Sequence, residues 1–192
     1  WLKNKGIAYI YVIAPNKHSI YFEKLPKFIS KKNKYSATDQ LVSYLQTHTD
    51  VIVIDLRASL IKEKKKHNVY SKTDTHWNHY GANIAQFEII REVEKLFPEK
   101  ISAFLLEDNQ FKFQMKNDAD LTEFANIENV VETEPVPILD SACKSTPSQP
   151  SQNVGETYIL ECDNNGLNAV IFMDSFAVAL QPYFSKYFHR ST

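Results

Sequence analysis

Continuous apolar segments alternate with helical patterns along this chain. Residues 6–15 are almost entirely apolar, are rich in β-branched and aromatic side chains, and end at Pro15. Residues 51–55 and 169–173 are shorter segments of the same kind. Such segments are typical of parallel strands that are buried on both faces. We therefore predict a strand in each of the three.

Two stretches between these strands have the pattern of helices. Residues 39–46 precede the second strand, and residues 80–97 carry apolar side chains at helical spacing up to Pro98. Strands that alternate with helices indicate an α/β fold, and we expect a three-layer sandwich with a mainly parallel sheet. Residues 141–153 are polar and interrupted by proline, which predicts a loop.

Length and composition narrow the class of protein. The chain has 192 residues, 43% of them apolar and 23% charged, as in ordinary globular proteins, and we expect residues 1–192 to form a single domain. Because the sequence begins at Trp1 rather than methionine, we expect this domain to be a fragment that lacks N-terminal and C-terminal parts. Its 22 basic and 23 acidic residues give a net charge of −1, which argues against nucleic acid as a partner.

Two further features concern the compartment in which the protein works. No apolar stretch approaches the roughly 20 residues of a membrane-spanning helix. The two cysteines, Cys143 and Cys162, do not have the spacing of a metal motif. They are compatible either with a disulfide in an oxidising compartment or with two free thiols.

A carboxylate, an imidazole and an indole lie close together at Asp74, His76 and Trp77, just before the predicted long helix. Side chains two residues apart share a face of an extended segment, so Asp74 and His76 can face one cleft. The Asp74 carboxylate can then accept the Nδ1 proton of His76, which fixes the tautomer and stabilises the imidazolium that forms when Nε2 takes a proton. Trp77 is most simply explained as a core residue.

Asp174 and Ser175 directly follow the apolar segment 169–173. Functional groups collect at the carboxyl ends of strands in open α/β sheets, and backbone N–H groups at the start of a helix can stabilise an oxyanion. A serine needs a base to become a nucleophile, and His76 is the best candidate in the sequence. The alternatives are a helix N-cap for Ser175 and a surface pair for Asp74 and His76.

These segments together resemble the alginate O-acetylation family, the AlgX and AlgJ type. In that family the acid and the base precede the serine, as they do here. Met173 departs from the pattern, since family members commonly have a small or polar residue there, and the upstream segment of the family is absent. The motifs that carry the resemblance are Asp-Thr-His-Trp-Asn at 74–78 with Gly81 and Ala82, Asp-Ser-Phe at 174–176, the Pro-Asn-Lys segment within 14–26, and Asn-Asp-Ala-Asp-Leu at 117–121.

The resemblance implies an SGNH-hydrolase-like domain that transfers an acyl group, most simply acetyl, to hydroxyls of an extracytoplasmic polysaccharide such as alginate in the bacterial periplasm. It implies Ser175 as nucleophile, His76 as general base and Asp74 as the acid that orients His76, with no metal and no cofactor. It also implies an acyl donor delivered by a membrane partner protein.

We assign two further residues to substrate binding. Lys17 follows the end of the first strand, where it can line the cleft and attract an anionic polysaccharide; its alternative is a solvated loop position. Trp77 can shape the acceptor groove, and its alternative is packing behind His76.

Three other functions fit the same residues. Asp74, His76 and His79 together offer ligands for zinc, although no second ligand cluster accompanies them. A non-catalytic polysaccharide-binding or scaffold protein can share the fold. A carbohydrate esterase uses the same three residues and differs only in whether water or a sugar hydroxyl reaches the acyl-enzyme.

Overall fold

Three small sheets and six α-helices make up the part of the chain that the structure describes. The computed structural model covers residues 1–30, 33–117, 119–139, 143–147, 158–162 and 166–191, with the backbone alone at 143–147 and 158. The strands are β1 (Ile10–Ile13), β2 (Ile52–Asp55), β3 (Phe111–Asn117), β4 (Val131–Pro137), β5 (Cys143–Pro147), β6 (Tyr158–Cys162), β7 (Leu167–Ala169) and β8 (Phe188–Ser191). The helices are α1 (Lys17–Ile20), α2 (Ala37–His48), α3 (Arg57–Glu63), α4 (His79–Leu96), α5 (Asp120–Ala125) and α6 (Gln181–Phe184). Short 3₁₀ helices cover Lys3–Lys5, Phe22–Lys24, Asp108–Gln110 and Ser175–Leu180.

The first two predicted strands are confirmed as the parallel pair β1–β2, in which Ile10 lies opposite Ile52, although β1 covers only residues 10–13 of the predicted 6–15. The expected burial on both faces was wrong, because Tyr11 is exposed and Ile54 is the one buried residue of the two strands.

The helix predicted between these two strands is confirmed as α2. It begins after Ser36, whose Oγ accepts the N–H of Asp39 at 3.1 Å while the Asp39 carboxylate accepts the N–H of Ser36 at 2.8 Å. This reciprocal capping satisfies donors that helix geometry leaves free and fixes the start of the helix.

Helix α4 supplies much of the core, and it confirms the long helix predicted from the sequence. Asn78 caps its start by accepting the N–H groups of Tyr80 at 3.0 Å and Gly81 at 3.2 Å. Gly81 lies against the preceding segment so closely that an added Cβ would overlap the carbonyl oxygen of Val69 and come within 2.8 Å of the Trp77 Cβ. The helix therefore packs directly beneath the segment that contains the predicted acid and base. Its buried residues are Gly81, Ala82, Asn83, Ile84, Ala85, Gln86, Ile89, Ile90 and Val93.

The third predicted strand is displaced towards the N-terminus. Residues 167–169 form β7, and its ladder with β8 ends where Ala169 pairs with Ser191, so residues 170–173 are not strand. The prediction was wrong there because apolar character was taken to mean burial: Phe172 is 95% exposed and Val170 is 72% exposed. The loop predicted at 141–153 was wrong for residues 143–147, which form β5; residues 140–142 and 148–157 lie outside the described residues.

The expected mainly parallel sheet is not confirmed. Among the described strands, β1 pairs with β2 in parallel, β3 pairs with β4 antiparallel, and the third sheet has the order β5–β6–β8–β7 with mixed directions. In that sheet Cys143 is the register partner of Cys162, and Cys162 is disulfide-bonded. None of the helices in the described part of the chain combines the length and apolar character that crossing a bilayer requires.

Candidate active site

The segment that carries the predicted acid and base is a loop closed at its base by a single antiparallel bridge between Tyr70 and Trp77. Both residues are nearly buried, at 2% and 4% exposure. Between these two residues Ser71 and Thr73 are buried, Lys72 is exposed and residues 74–76 are partly buried, and the chain then reaches the Asn78 cap of α4. Because both ends are fixed, the loop has few ways to move as a whole.

Lys17 holds this loop from one side. Its Nζ donates to the carbonyl oxygens of Ser71 at 2.6 Å, Lys72 at 3.1 Å and Asp74 at 2.9 Å. Burial lowers the pKa of Lys17, although neighbouring carboxylates act in the opposite direction. A charged donor that satisfies three carbonyl groups in one turn fixes the backbone on either side of Asp74.

Glu132, on β4, holds the loop from the other side. Its carboxylate accepts the backbone N–H of Lys72 at 2.8 Å and that of Thr73 at 3.0 Å, and it also accepts the Thr73 hydroxyl. Burial acts to raise the pKa of Glu132, but these hydrogen bonds outweigh it and lower the pKa. The ammonium group of Lys17 therefore donates to carbonyl groups of the loop, and the carboxylate of Glu132 accepts from N–H groups of the same loop.

Asp74 and His76 contact each other through two hydrogen bonds. Asp74 Oδ1 accepts the backbone N–H of His76 at 2.9 Å and lies 2.7 Å from His76 Nδ1. Because the same oxygen of Asp74 contacts both the backbone and the ring of His76, the carboxylate is held facing the ring. This geometry keeps Nδ1 protonated and leaves Nε2 as the basic nitrogen.

Ser175 lies at the other ring nitrogen, with its Oγ 2.7 Å from His76 Nε2. It is the first residue of the 3₁₀ helix 175–180, which Asp174 caps by accepting the N–H of Phe176 at 3.0 Å. Ser175 is exposed to solvent. Asp74, His76 and Ser175 thus form one continuous chain of hydrogen bonds that ends at an accessible hydroxyl, and their catalytic roles stay predictions.

Trp77 supports the two halves of this arrangement. Its Nε1 donates to the carbonyl oxygen of Phe176 at 2.9 Å, and its ring meets the Phe176 ring edge to face with centroids 5.1 Å apart. The Phe176 ring also lies 4.8 Å from the His76 ring. Trp77 therefore packs against Phe176, the residue that follows Ser175 and whose ring contacts that of His76, and Trp77 also lines the adjoining cleft.

Three charged residues of the β3–β4 hairpin at this site were not predicted from the sequence, namely Glu132, Lys116 and Glu134. Lys116, on β3, donates to Asp74 Oδ2 at 2.9 Å and to Glu134 Oε1 at 3.3 Å. Glu134 lies on β4, two residues beyond Glu132. The sequence carried no signal for Lys116, since the alternation of residues 111–117 places the lysines on the solvent face. In the structure the pattern is inverted: Phe113 and Met115 are exposed, whereas Lys116 and both glutamates are partly buried.

The charges around Asp74 fix its ionisation. Burial alone would raise the pKa of Asp74, but hydrogen bonds from the backbone N–H of His76, from Lys116 and from the His76 ring hold it at about 2. Burial acts to lower the pKa of Lys116, but its bond to Asp74 and the charge of Glu134 raise it. Burial raises the pKa of Glu134. At neutral pH the pair beside His76 is therefore a carboxylate and an ammonium.

Asp120 is a second carboxylate near His76 and raises the question of a metal. Its Oδ1 accepts the N–H of Thr75 at 2.7 Å, its Oδ2 accepts the Thr75 hydroxyl, and its Oδ2 lies 3.7 Å from His76 Nδ1. Asp74, His76 and Asp120 offer ligand atoms within 4.8 Å of one another. The ammonium of Lys116, already bonded to Asp74, opposes a cation at this point because like charges repel.

His79, the other zinc ligand considered from the sequence, does not belong to that group. Among the described residues its Nδ1 has no hydrogen-bond partner. Burial, together with the charge of Lys116, lowers its pKa. His79 lines the cleft beside the first turn of α4.

A cleft of about 680 Å³ opens in front of Ser175. Its walls combine the hydrogen-bonded chain with apolar side chains from the 3₁₀ helix 175–180 and α6. Lys17 is not among the described residues that line it, and its three carbonyl contacts direct its Nζ into the loop. The lining residues are Asp74, His76, Trp77, Asn78, His79, Lys116, Glu134, Leu160, Ser175, Phe176, Val178, Ala179, Gln181, Pro182 and Ser185.

Solved structures of similar fold include PatB1 from Bacillus cereus, with a TM-score of 0.65 and 17% identity over 99% of this chain and 74% of that chain. A DHHW family protein from Eubacterium siraeum has a TM-score of 0.66 and 19% identity, over 96% and 68% of the two chains. The O-acetyltransferase domain of AlgJ from Pseudomonas putida has a TM-score of 0.56 and 19% identity, over 96% and 62%. At these identities the likeness shows a shared fold.

The sequence itself matches a family model. The matching model is described as the SGNH hydrolase-like domain of the acetyltransferase AlgX, and it covers residues 1–160, which include Asp74 and His76 and stop short of Ser175. A search of curated proteins gave no match. Because the model spans most of the chain, the chain belongs to the AlgX family of SGNH hydrolase-like domains.

Proposed function

We propose that this protein is an O-acetyltransferase that acts on hydroxyls of an extracytoplasmic polysaccharide through an acyl-enzyme on Ser175. The observation that carries the proposal is the unbroken chain of hydrogen bonds from Asp74 through His76 to the exposed Ser175 hydroxyl. Membership of the AlgX family supports the choice of reaction. The assignment of residues 1–192 to a single acyltransferase domain is part of the same proposal.

In the first half-reaction Ser175 Oγ attacks the carbonyl carbon of the acyl donor, and its proton passes to His76 Nε2. Asp74 accepts the Nδ1–H and stabilises the imidazolium. The N–H of Phe176 is occupied by Asp174, so we propose the N–H of Ser175 as one donor to the oxyanion. The bond from the carbonyl carbon to the leaving group then breaks, and the leaving group takes the proton from His76.

In the second half-reaction a sugar hydroxyl enters the cleft and gives its proton to His76 Nε2. Its oxygen attacks the acyl carbon of the Ser175 ester, and Ser175 Oγ leaves with the proton from His76. If water takes the place of the sugar, the same steps make the protein a carbohydrate esterase. A cleft of about 680 Å³ has room for a sugar in either reaction, so membership of the AlgX family is what supports transfer over hydrolysis.

The substrates and location belong to the proposal as well. We propose alginate as one candidate acceptor and the periplasm as the site of action, with the acyl donor delivered by a membrane partner protein. We assign to Trp77 a wall of the acceptor groove, in addition to its support of His76. Lys17 acts through the loop that it holds, since its Nζ is engaged by three carbonyl groups.

Turnover of p-nitrophenyl acetate tests the nucleophile. The Ser175→Ala variant should lose several orders of magnitude in kcat, as triad members typically do when removed. Ser43→Ala is the matched control, because Ser43 is an exposed serine on the distant helix α2. Full activity in Ser175→Ala contradicts the proposal, and activity that a chelator abolishes favours metal chemistry instead. Transfer of acetyl to alginate, compared with release of acetate to water, separates transferase from esterase.

A further inference from the structure

Lys116 is placed so that it can control the carboxylate that orients His76. Asp74 uses its two oxygens differently: Oδ1 receives both bonds from His76, and Oδ2 receives the bond from Lys116 at 2.9 Å. Rotation about the Cβ–Cγ bond of Asp74 moves both oxygens, so the bonds from His76 already resist it, and the bond from Lys116 to the second oxygen must be broken as well. Lys116 therefore narrows the torsional range of the Asp74 carboxylate.

The position of the ammonium is itself fixed by Glu134. Lys116 is the register partner of Glu132 in the β3–β4 ladder, and Glu134 lies two residues further on the same face of β4. Glu134 Oε1 contacts Lys116 Nζ at 3.3 Å, and its side chain is 16% exposed against 31% for Lys116. Glu132 meanwhile binds the backbone of the same loop. Of the two glutamates on β4, Glu132 therefore holds the loop that carries Asp74, and Glu134 holds the ammonium group of Lys116.

We propose that Lys116 is a positioning residue for acyl transfer, which locks the ionised Asp74 carboxylate against His76 Nδ1–H while Glu134 holds its ammonium in place. The inference rests on the proposed function, in which His76 is the base that activates Ser175. It extends that function because it gives the β3–β4 hairpin, through Lys116, a role in positioning Asp74.

A purely structural role for Lys116 predicts different behaviour. Such a role would lower the thermal stability of a variant and, because the ammonium lies 2.9 Å from Asp74, would also raise the pKa of Asp74, but it would leave turnover per folded molecule unchanged. A positioning role lowers kcat in molecules that remain folded. Turnover per folded molecule therefore decides between the roles, and the titration of Asp74 tests whether the ion pair on which the inference rests is present in solution.

The experiment compares K116M and K116R with K112M in the full chain. Methionine removes the charge at similar length, arginine keeps it, and Lys112 is an exposed lysine four residues earlier on the same face of β3. The substrate is p-nitrophenyl acetate, which carries no sugar, so a loss cannot come from a missing polysaccharide contact. Asp74 is followed by carbon-13 NMR of its carboxyl group.

K116M should lose roughly 10- to 100-fold in kcat, the range typical when an outer hydrogen-bond partner of a reacting group is removed. The pKa of Asp74 should rise from about 2 towards its ordinary value of 3.8. K116R should recover part of the lost kcat and part of the lowered pKa of Asp74, and K112M should match the wild type in both quantities. Wild-type turnover in K116M, or an unchanged Asp74 titration, overturns the inference.

Two further variants keep the test decisive. If K116M does not fold, K116Q retains a polar side chain without the charge, and a roughly 10- to 100-fold loss of kcat in folded K116Q supports the inference while wild-type turnover overturns it. S175A separates this inference from the proposed function. An active S175A ends the proposed function, whereas an inactive S175A beside a fully active K116M ends only the inference about Lys116.

Discussion

Replacing Asp74 with asparagine puts a donor where the site needs an acceptor. Asp74 Oδ1 accepts from the backbone and the ring of His76, and Oδ2 accepts from Lys116. An asparagine amide must turn its NH₂ group towards one side or the other. If it faces His76, it favours the tautomer with the proton on Nε2, which cannot act as a base towards Ser175. If it faces Lys116, two donors meet and the ion pair is lost.

The cost to turnover can be estimated from comparable triads. An amide in place of the orienting carboxylate lowers kcat by up to ~10⁴-fold, because the wrong tautomer is stabilised and the imidazolium loses its counter-ion. This corresponds to ~5.5 kcal/mol in the activation barrier, at 1.36 kcal/mol for each factor of ten. We expect a loss of this order in Asp74→Asn.

The same change also affects stability, in a pH-dependent way. The pKa of Asp74 is about 2 in the folded protein and 3.8 ordinarily. Its side chain is only 17% exposed, so a depression of this size corresponds to ~2 kcal/mol of stability. Because the folded pKa is the lower one, this stabilisation is present above about pH 4 and is lost as the pH falls towards 2. Asp74→Asn should therefore lower the thermal midpoint by about 4–8 °C at pH 7.

The assay is turnover of p-nitrophenyl acetate beside the thermal midpoint, for the wild type, Asp74→Asn and Asp50→Asn. Asp50 is the matched control because its side chain is 87% exposed and pairs only with the equally exposed Lys3 among the described residues. Near-normal turnover in Asp74→Asn would refute the reasoning and leave His76 to act without an orienting acid. A lower midpoint with normal turnover would assign Asp74 to the fold alone.

Two other substitutions test how the site is held. Gly81→Ala should destabilise the fold by about 1–3 kcal/mol in urea denaturation, since its new methyl group overlaps the Val69 carbonyl; unchanged stability would show that α4 can move away from this segment. Trp77→Phe removes the hydrogen bond to the Phe176 carbonyl, which is worth about 0.5–1.5 kcal/mol, and should lower kcat about 3- to 10-fold with the protein still folded. A wild-type kcat in Trp77→Phe would argue that the turn carrying Ser175 does not depend on the indole.

Elements with strong local patterns could be predicted from the sequence, and elements that depend on distant partners could not. The strands β1 and β2 lie in continuous apolar segments, and the helix α4 has apolar side chains at helical spacing. The segment 169–173 has equal apolar character but leaves the sheet after Ala169, where its ladder with β8 ends. Hydrophobicity alone does not tell a buried strand from an exposed apolar turn, because a strand exists only where a partner pairs with it.

The residues of the site also divide into those that a local pattern predicts and those that depend on distant partners. Asp74, His76 and Trp77 lie within four residues, so their shared orientation follows from local geometry. Lys17 was expected to face the substrate, but a lysine side chain can equally reach backbone carbonyl groups 54 residues further along the chain, and nothing local decides between the two. Lys116 was missed because no strand was predicted at 111–117 or 131–137, and only the pairing of these two strands places Lys116 beside Asp74.

The division explains why a short motif is insufficient to make this site. The motif supplies an acid and a base, but the distance from His76 Nε2 to Ser175 is set by groups that the motif does not contain. Lys17 fixes the loop through its carbonyl groups, Glu132 fixes it through its N–H groups, and Lys116 fixes the carboxylate itself. Each contact closes a long loop of chain: that of Lys17 needs the segment after the first strand in place, and those of Glu132 and Lys116 need the β3–β4 hairpin. The proposed acid and base are therefore neighbours in the sequence, whereas their alignment with Ser175, 99 residues after His76, is a property of the folded domain.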